Sequence, residues 1–150
     1  CYGDIMKIAI VSDHRGFDLK QEIINKIKAV NFEDLGTYST KSIDYPDYAF
    51  KLGEYISSGK ADYGIAICGS GIGMSIACNK VKGIRCARVT CIKDVKVTRN
   101  DNNSNIIAFS SEINFNRVKR MIEEFINTPF SNEERHQRRI KKINEYENKY

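Results

Sequence analysis

Short apolar runs alternate with longer stretches of helical period along the chain, and this alternation constrains the fold more than any other feature. The runs KIAIVS (7–12), YGIAIC (63–68) and NIIAFS (105–110) are too short for helices and have the character of strands buried on both faces. Further strands are predicted at 31–36 and 83–89. Helices are predicted at about 16–30, 48–58, 73–80, 92–100 and 116–127, with a C-terminal helix from about 132. The pattern predicts an α/β fold in which helices cover both faces of a parallel sheet.

Length and composition limit the function classes. The 150 residues are long enough for one domain with a real core, and residues 1–5 are interpreted as an extension before a start at Met6. No apolar run approaches the roughly 20 residues of a membrane helix, so no membrane partner is expected. Five cysteines without a CxxC pair, beside only two histidines, favour a reducing, cytoplasmic location and no metal.

Charge gives a weaker indication. The net charge of +5 comes from basic residues spread along the chain, apart from RHQRRIKK at 135–142. A solvated helix face and a small anionic substrate are sufficient explanations, so no nucleic-acid partner is predicted.

Polar residues follow several of the predicted strands. Asp13 and His14 follow the first strand, Cys68 to Gly73 end the third, and Ser110 to Glu112 follow the fifth. In open α/β sheets ligands bind beyond the carboxyl ends of the strands. The sequence therefore predicts a polar site at this edge.

The segment CGSGIG (68–73) dominates that edge. Three alternate glycines between a strand and a helix can turn backbone N–H groups toward an anion. The spacing is not the G-x-G-x-x-G of dinucleotide sites, and Met74 stands where a cysteine phosphatase needs arginine. A cysteine beside a helix N-terminus holds more thiolate, which suits a nucleophile or a base. Taken alone, however, Cys68 is better interpreted as a small buried apolar residue.

Several stretches together resemble ribose-5-phosphate isomerase type B of the ribose/galactose isomerase family. They are MKIAIVSDHRGFDLK, DLGTYSTKSIDYPDYA, GIAICGSGIGMSIACNKVKGIR and RHQRR, and the likeness runs from Met6 to about Ile143. The resemblance implies a Rossmann-like five-stranded parallel sheet in a three-layer αβα sandwich. It also implies a homodimer, with a tetramer left open, whose active sites are shared between subunits, and no cofactor.

The reaction implied by the resemblance is the interconversion of D-ribose 5-phosphate and D-ribulose 5-phosphate in the pentose phosphate pathway, through a cis-enediolate. Cys68 matches the catalytic cysteine and would be the base. Ser70 replaces the usual threonine and keeps its hydroxyl. The backbone N–H groups of Gly69, Gly71 and Gly73 would face the enediolate.

The resemblance also implies a set of substrate contacts. Asp13 would contact sugar hydroxyls and His14 would help to hold the phosphate. Arg135 and Arg139 match the phosphate arginines and share one helix face. Tyr45, in the DYPDYA segment, would shape the pocket wall.

Two positions depart from the family pattern. Asp101 stands where a ring-opening histidine is expected, although the following Asn102 is retained, and an ionised carboxylate is a poor general acid. Glu112 stands where a phosphate-binding arginine from the partner subunit is expected. These changes keep two alternatives open: an isomerase for allose or galactose 6-phosphate, and a non-catalytic sugar-phosphate-binding subunit.

Overall fold

The computed structural model describes residues 6–150; the interpretation of residues 1–5 as an extension lies outside this range. The strands are β1 (Lys7–Ser12), β2 (Asn31–Asp34), β3 (Tyr63–Cys68), β4 (Cys86–Arg88) and β5 (Ile106–Ser110). The helices are α1 (Phe17–Lys26), α2 (Tyr45–Ser57), α3 (Ile72–Cys78), α4 (Ile92–Asn102), α5 (Phe115–Asn127) and α6 (Glu134–Glu147).

The five strands form one parallel sheet in the order β2-β1-β3-β5-β4. Side chains of β1, β3 and β5 are almost entirely buried because helices cover both faces. One core lies against α1, α4 and α5, and includes Phe125 and Met121. The other lies against α2 and α3, and includes Leu52 and Met74. The predicted α/β class and three-layer sandwich are confirmed.

Three elements near the predicted site residues have boundaries that differ from the predicted ones. Helix α2 begins at Tyr45 rather than 48, because Pro46 fits the first turn of a helix, where its missing N–H is not needed. Helix α4 continues to Asn102 and ends at Asn103, which has a φ of 47°. Strand β4 has only three residues instead of the seven predicted for 83–89. Because α4 extends to Asn102, both Asp101 and Asn102 lie in its last turn.

Candidate active site

Cys68 is the last residue of β3 and lies at the start of the glycine-rich loop. The residue is 4% exposed, and its Sγ accepts a hydrogen bond from the Gly71 N–H at 3.2 Å. Gly71 has a φ of 79°, and a Cβ there would lie 2.7 Å from the Phe109 Cα. Only glycine fits this turn, and the turn aims an N–H donor at the sulfur.

The neighbouring residues fix the loop to the sheet. The Ser111 N–H donates to the Cys68 carbonyl at 2.9 Å, and the Ser110 hydroxyl donates to the Gly69 carbonyl at 2.7 Å. Ser70 accepts from the Ile72 N–H through its Oγ at 3.1 Å. This bond uses the Ser70 oxygen as an acceptor, so its hydroxyl proton is available for a ligand.

Asp13 and His14 follow β1, beside the loop. Asp13 is 6% exposed, and its Oδ1 accepts from the Gly16 N–H at 3.0 Å. The His14 Nδ1 accepts from the Ile43 N–H at 3.3 Å. Since Nδ1 is an acceptor, the neutral imidazole carries its proton on Nε2 and can donate it to a ligand.

These elements enclose an open cleft of about 670 Å³ at the carboxyl edge of the sheet. Tyr45 forms part of its wall and packs on Gly73, where a Cβ would lie 2.6 Å from the Tyr45 Cζ. The residues that line the cleft come from three segments of the chain: Asp13, His14, Arg15, Ile43, Tyr45, Cys68, Gly69, Ser70, Ile72, Gly73 and Ile76. Seven of the twelve site residues predicted from the sequence therefore line one cleft.

Sequence reasoning missed four of the residues that line this cleft: Arg15, Ile43, Ile72 and Ile76. Arg15 directly follows Asp13 and His14, so its position after β1 was the available signal. Ile76 lies four residues after Ile72 on α3, and the two side chains are 57% and 49% exposed. That spacing places an apolar stripe on the cleft side of the helix.

Of the predicted residues outside the cleft lining, Gly71 still contributes its N–H to Cys68. Asp101 is in the last turn of α4, where its Oδ1 accepts from the Asn100 side chain and lies 3.6 Å from the His136 Nε2. Asn102 lines a separate cavity of about 230 Å³, together with Arg85 and Ile143. The structure does not bring this asparagine to the cleft of its own chain.

Arg135 and Arg139 lie on α6 and are exposed. The Arg135 guanidinium pairs with Glu133 at 2.6 Å, and neither arginine lines the cleft around Cys68. His136, between them, is buried and its Nδ1 lies 2.7 Å from the Ser131 Oγ. The two arginines that were expected to hold the phosphate therefore lie away from the cleft of their own chain.

Cys78 and Cys86 lie in packed surroundings outside the lining of the Cys68 cleft. Cys78 is fully buried, and its thiol contacts the Ala49 carbonyl. The hydrogen bond with Cys78, followed by burial, raises the pKa of the Cys86 thiol well above its usual value. Cys86 is therefore held as the neutral thiol, whereas Cys68 has a backbone donor and a place in the cleft.

Within residues 6–150, no three His, Cys, Asp or Glu side chains are grouped closely enough to hold a metal ion. In the same part of the chain, no helix is both long enough and apolar enough to cross a membrane.

Comparison with known proteins identifies the family. The ribose/galactose isomerase family profile matches residues 8–143. The chain belongs to the ribose/galactose isomerase family. Its glycine-rich loop, Asp13 and His14 all fall within the matched region, so the cleft is a feature of a family member and the resemblance noted in the sequence is confirmed.

Individual relatives of this isomerase cover almost the whole chain. The ribose-5-phosphate isomerase B of Escherichia coli is 36% identical over 140 residues, which are 91% of this chain and 93% of that protein. The structure of Clostridium thermocellum ribose-5-phosphate isomerase B has a TM-score of 0.92 and 40% identity, covering 97% of this chain and 99% of that one. The Mycoplasma genitalium enzyme with bound ribulose-5-phosphate has a TM-score of 0.88 and 37% identity, covering 97% and 98%.

The arrangement in the isomerase cleft has the parts of a proton-transfer site. Cys68 offers a sulfur base, while the Ser70 hydroxyl and the His14 Nε2–H offer donors. Asp13 is an acceptor that can receive bonds from hydroxyl groups, and Arg15 adds a positive charge. A polyhydroxylated anion of low molecular weight suits this combination.

Proposed function

We propose that the protein interconverts D-ribose 5-phosphate and D-ribulose 5-phosphate, the pentose phosphate pathway isomerisation, with Cys68 as the base. The observation that carries the proposal is the buried Cys68 sulfur, which receives the Gly71 N–H in a cleft containing Asp13 and His14. The Escherichia coli and Mycoplasma genitalium relatives, which carry the name ribose-5-phosphate isomerase B or were solved with ribulose-5-phosphate, support this choice of substrate.

The chemistry balances with the residues of the cleft. The Cys68 thiolate takes the proton from C2 of the open-chain aldose, and the C2–H electrons form the C1–C2 double bond of the enediolate. Negative charge then moves onto O1, where the Ser70 hydroxyl and loop N–H groups stabilise it. A proton then passes from the C2 hydroxyl to O1, which leaves the negative charge on O2. The Cys68 thiol returns its proton to C1 while the electrons on O2 form the C2 carbonyl, so the ketose forms without any net change in the enzyme.

The remaining predicted residues fit this proposal through a second subunit. Asp101, Asn102, Arg135 and Arg139 lie outside the cleft lining of their own chain. The rim of the cleft exposes the apolar side chains of Ile72 and Ile76, which a second protein surface would bury. A homodimer in which one chain's charged residues reach the other's cleft accounts for both features, and leaves the tetramer open.

Ring opening in such a dimer needs a base for the anomeric hydroxyl and an acid for the ring oxygen. Asp101 would act as the base that takes the anomeric proton, and Asn102 would orient the sugar. An ionised carboxylate does not readily supply the second proton at neutral pH. We therefore expect ring opening to be slower than the enolisation step.

The test of the proposed reaction is formation of D-ribulose 5-phosphate from D-ribose 5-phosphate by the intact protein, Cys68→Ala and Cys91→Ala. We expect Cys68→Ala to lose roughly 100- to 10,000-fold in kcat, as removal of a general base does, while Cys91→Ala retains wild-type activity. Retained activity in Cys68→Ala would exclude the cysteine base. Turnover of allose or galactose 6-phosphate alone would instead assign the protein to hexose phosphates.

Shared active sites are tested by mixing two defective proteins after mild unfolding and refolding. One carries Cys68→Ala and the other carries Arg135→Met with Arg139→Met. Hybrid dimers contain one intact site, so about a quarter of wild-type kcat/KM should return if each site uses residues of both chains. Sites built within a single chain would recover no activity in the mixture.

A further inference from the structure

Arg15 is the one permanently charged cation among the described residues that line the Cys68 cleft. It follows His14 at the carboxyl end of β1, and its side chain is exposed to the solvent of the cleft. Among residues 6–150, none of the ion pairs includes Arg15. Its guanidinium is therefore available to an anion that enters the cleft.

The loop next to the catalytic cysteine leaves room for this arginine. A Cβ on Gly69 would lie 3.0 Å from the Arg15 Nη1 and 3.1 Å from its Cδ. A side chain at position 69 would push Arg15 away, so the glycine lets the arginine lie across the loop. The guanidinium consequently lies beside the residue that follows Cys68.

The positions of the other charged side chains make the placement of Arg15 in the cleft more informative about how an anion would bind there. Arg135 and Arg139 lie outside the cleft lining, and Glu112 places an anion just beyond β5. The Glu112 N–H donates to the Ser110 hydroxyl, which in turn donates to the Gly69 carbonyl. The Glu112 backbone is thus linked to the loop through Ser110, while the Arg15 side chain lies against Gly69.

We propose that Arg15 binds the phosphate of the substrate from within the same chain, and so makes the enzyme select phosphorylated over unphosphorylated sugars. This inference rests on the proposed function, which supplies a sugar phosphate as the ligand. The planar guanidinium matches two phosphate oxygens, and His14 can donate its Nε2–H to a third. A charge-assisted pair of this kind contributes roughly 10- to 100-fold in affinity.

The test compares Arg15→Met, Arg15→Lys and Arg120→Met. Methionine keeps an unbranched side chain to pack on Gly69 but removes the charge, lysine restores the charge without the fork, and Arg120 is an exposed arginine on α5 outside the cleft lining. For Arg15→Met we expect KM for D-ribose 5-phosphate and the inhibition constant of inorganic phosphate to rise together by roughly 10- to 100-fold. The kcat should change by less than about threefold, because a remote binding contact acts equally on ground and transition states.

The control variants sharpen this expectation. Arg15→Lys should fall between the wild type and Arg15→Met, and Arg120→Met should match the wild type in every constant. Unchanged KM and phosphate inhibition in Arg15→Met would overturn the inference, as would a fall in kcat alone. Dissociation of the dimer in Arg15→Met would also overturn it, since the arginine would then be holding a second chain.

Phosphate binding separates this inference from the proposed reaction. Titration calorimetry with inorganic phosphate measures the Arg15 contact in the wild type and Arg15→Met without any turnover. Weakened phosphate binding in Arg15→Met, in a protein that does not isomerise D-ribose 5-phosphate, would support the phosphate contact and reject the pentose substrate. Equal phosphate binding by the two proteins would reject the contact whatever the substrate.

Discussion

The cleft around Cys68 and the C-terminal helix α6 both carry ionisable side chains, but they hold them in opposite ways. In the cleft, Asp13 is buried and accepts from the Gly16 N–H; outside the cleft lining, Lys20 of α1 is buried against the Asp34 carboxylate. On α6, Arg135 and Arg138 are about half exposed and pair with glutamates one turn or less away. The cleft thus holds its carboxylate in a buried contact with a specific backbone donor, whereas α6 presents its charges to its surroundings.

This difference shows which region depends on folding alone. Hydrogen bonds from Gly71, Gly16 and Ile43 orient Cys68, Asp13 and His14 before any ligand arrives. Exposed pairs on a helix surface contribute little stability and exchange partners easily. We therefore expect substitutions of the residues that orient the cleft side chains to damage folding or chemistry. Substitutions on α6 should affect substrate binding only.

The largest effect is expected for Lys20→Met. The Lys20 ammonium is fully buried and lies 2.7 Å from the Asp34 carboxylate, so its removal leaves a half-buried acid without its partner. The free energy of unfolding should fall by about 3 kcal/mol, measured by urea denaturation. Lys26→Met removes an exposed partner of Glu22 from the same helix and should change it by less than about 0.5 kcal/mol. Equal losses in the two variants would contradict the contrast between buried and exposed pairs.

Gly71→Ala is expected to reduce kcat by roughly 100-fold, since the loop must shift and misplace the donor to Cys68. The added Cβ meets the backbone of Phe109 at 2.7 Å, in a conformation with a φ of 79°. Gly59→Ala is the matched control, because Gly59 has a φ of 80° but no atom near its Cβ position. It should lower stability by about 1 kcal/mol and leave kcat intact. A fully active Gly71→Ala would show that the loop need not hold this geometry.

A third variant probes α6 itself. Under the proposed dimer, Arg139→Met should raise KM for D-ribose 5-phosphate by about 10-fold with an unchanged urea midpoint, because an exposed cation is lost. Arg138→Met, on the adjacent position, removes a surface pair with Glu134 and should leave both KM and stability unchanged. If Arg138→Met raised KM as much as Arg139→Met, the effect would be one of general charge.

The smallest effect concerns the acid range. The backbone N–H of Thr90 donates to the Asp94 carboxylate at the start of α4 and lowers the pKa of that carboxyl. Because the folded-state pKa lies below the unfolded value, this contribution is present at neutral pH and is lost as the pH falls below about 4. The urea midpoint of the wild type should therefore decline more between pH 5 and 3 than that of Asp94→Asn. Parallel declines would contradict this assignment.

Much of the architecture followed from the sequence. The apolar runs that became β1, β3 and β5 were predicted at their observed positions to within one residue, because strands buried on both faces leave a continuous apolar signal. Boundaries were less accurate where a local signal was overridden. Pro46 began a helix rather than preceding one, and β4, at the sheet edge, is short and weakly apolar.

The candidate site likewise has a part that the sequence predicted and a part that it did not. Cys68, Asp13 and His14 could be placed together from the sequence, because the carboxyl ends of parallel strands share one edge. The position of the Arg15 side chain against Gly69 and the distance of α6 from the cleft could not, since both depend on how side chains and helices pack across long stretches of chain. The periodicity of the apolar residues determined the fold, and the spacing of the glycines after Cys68 determined the loop that contains it. Only the tertiary structure decided which charges lie in the cleft, because nothing in the spacing of a helix sets where it docks.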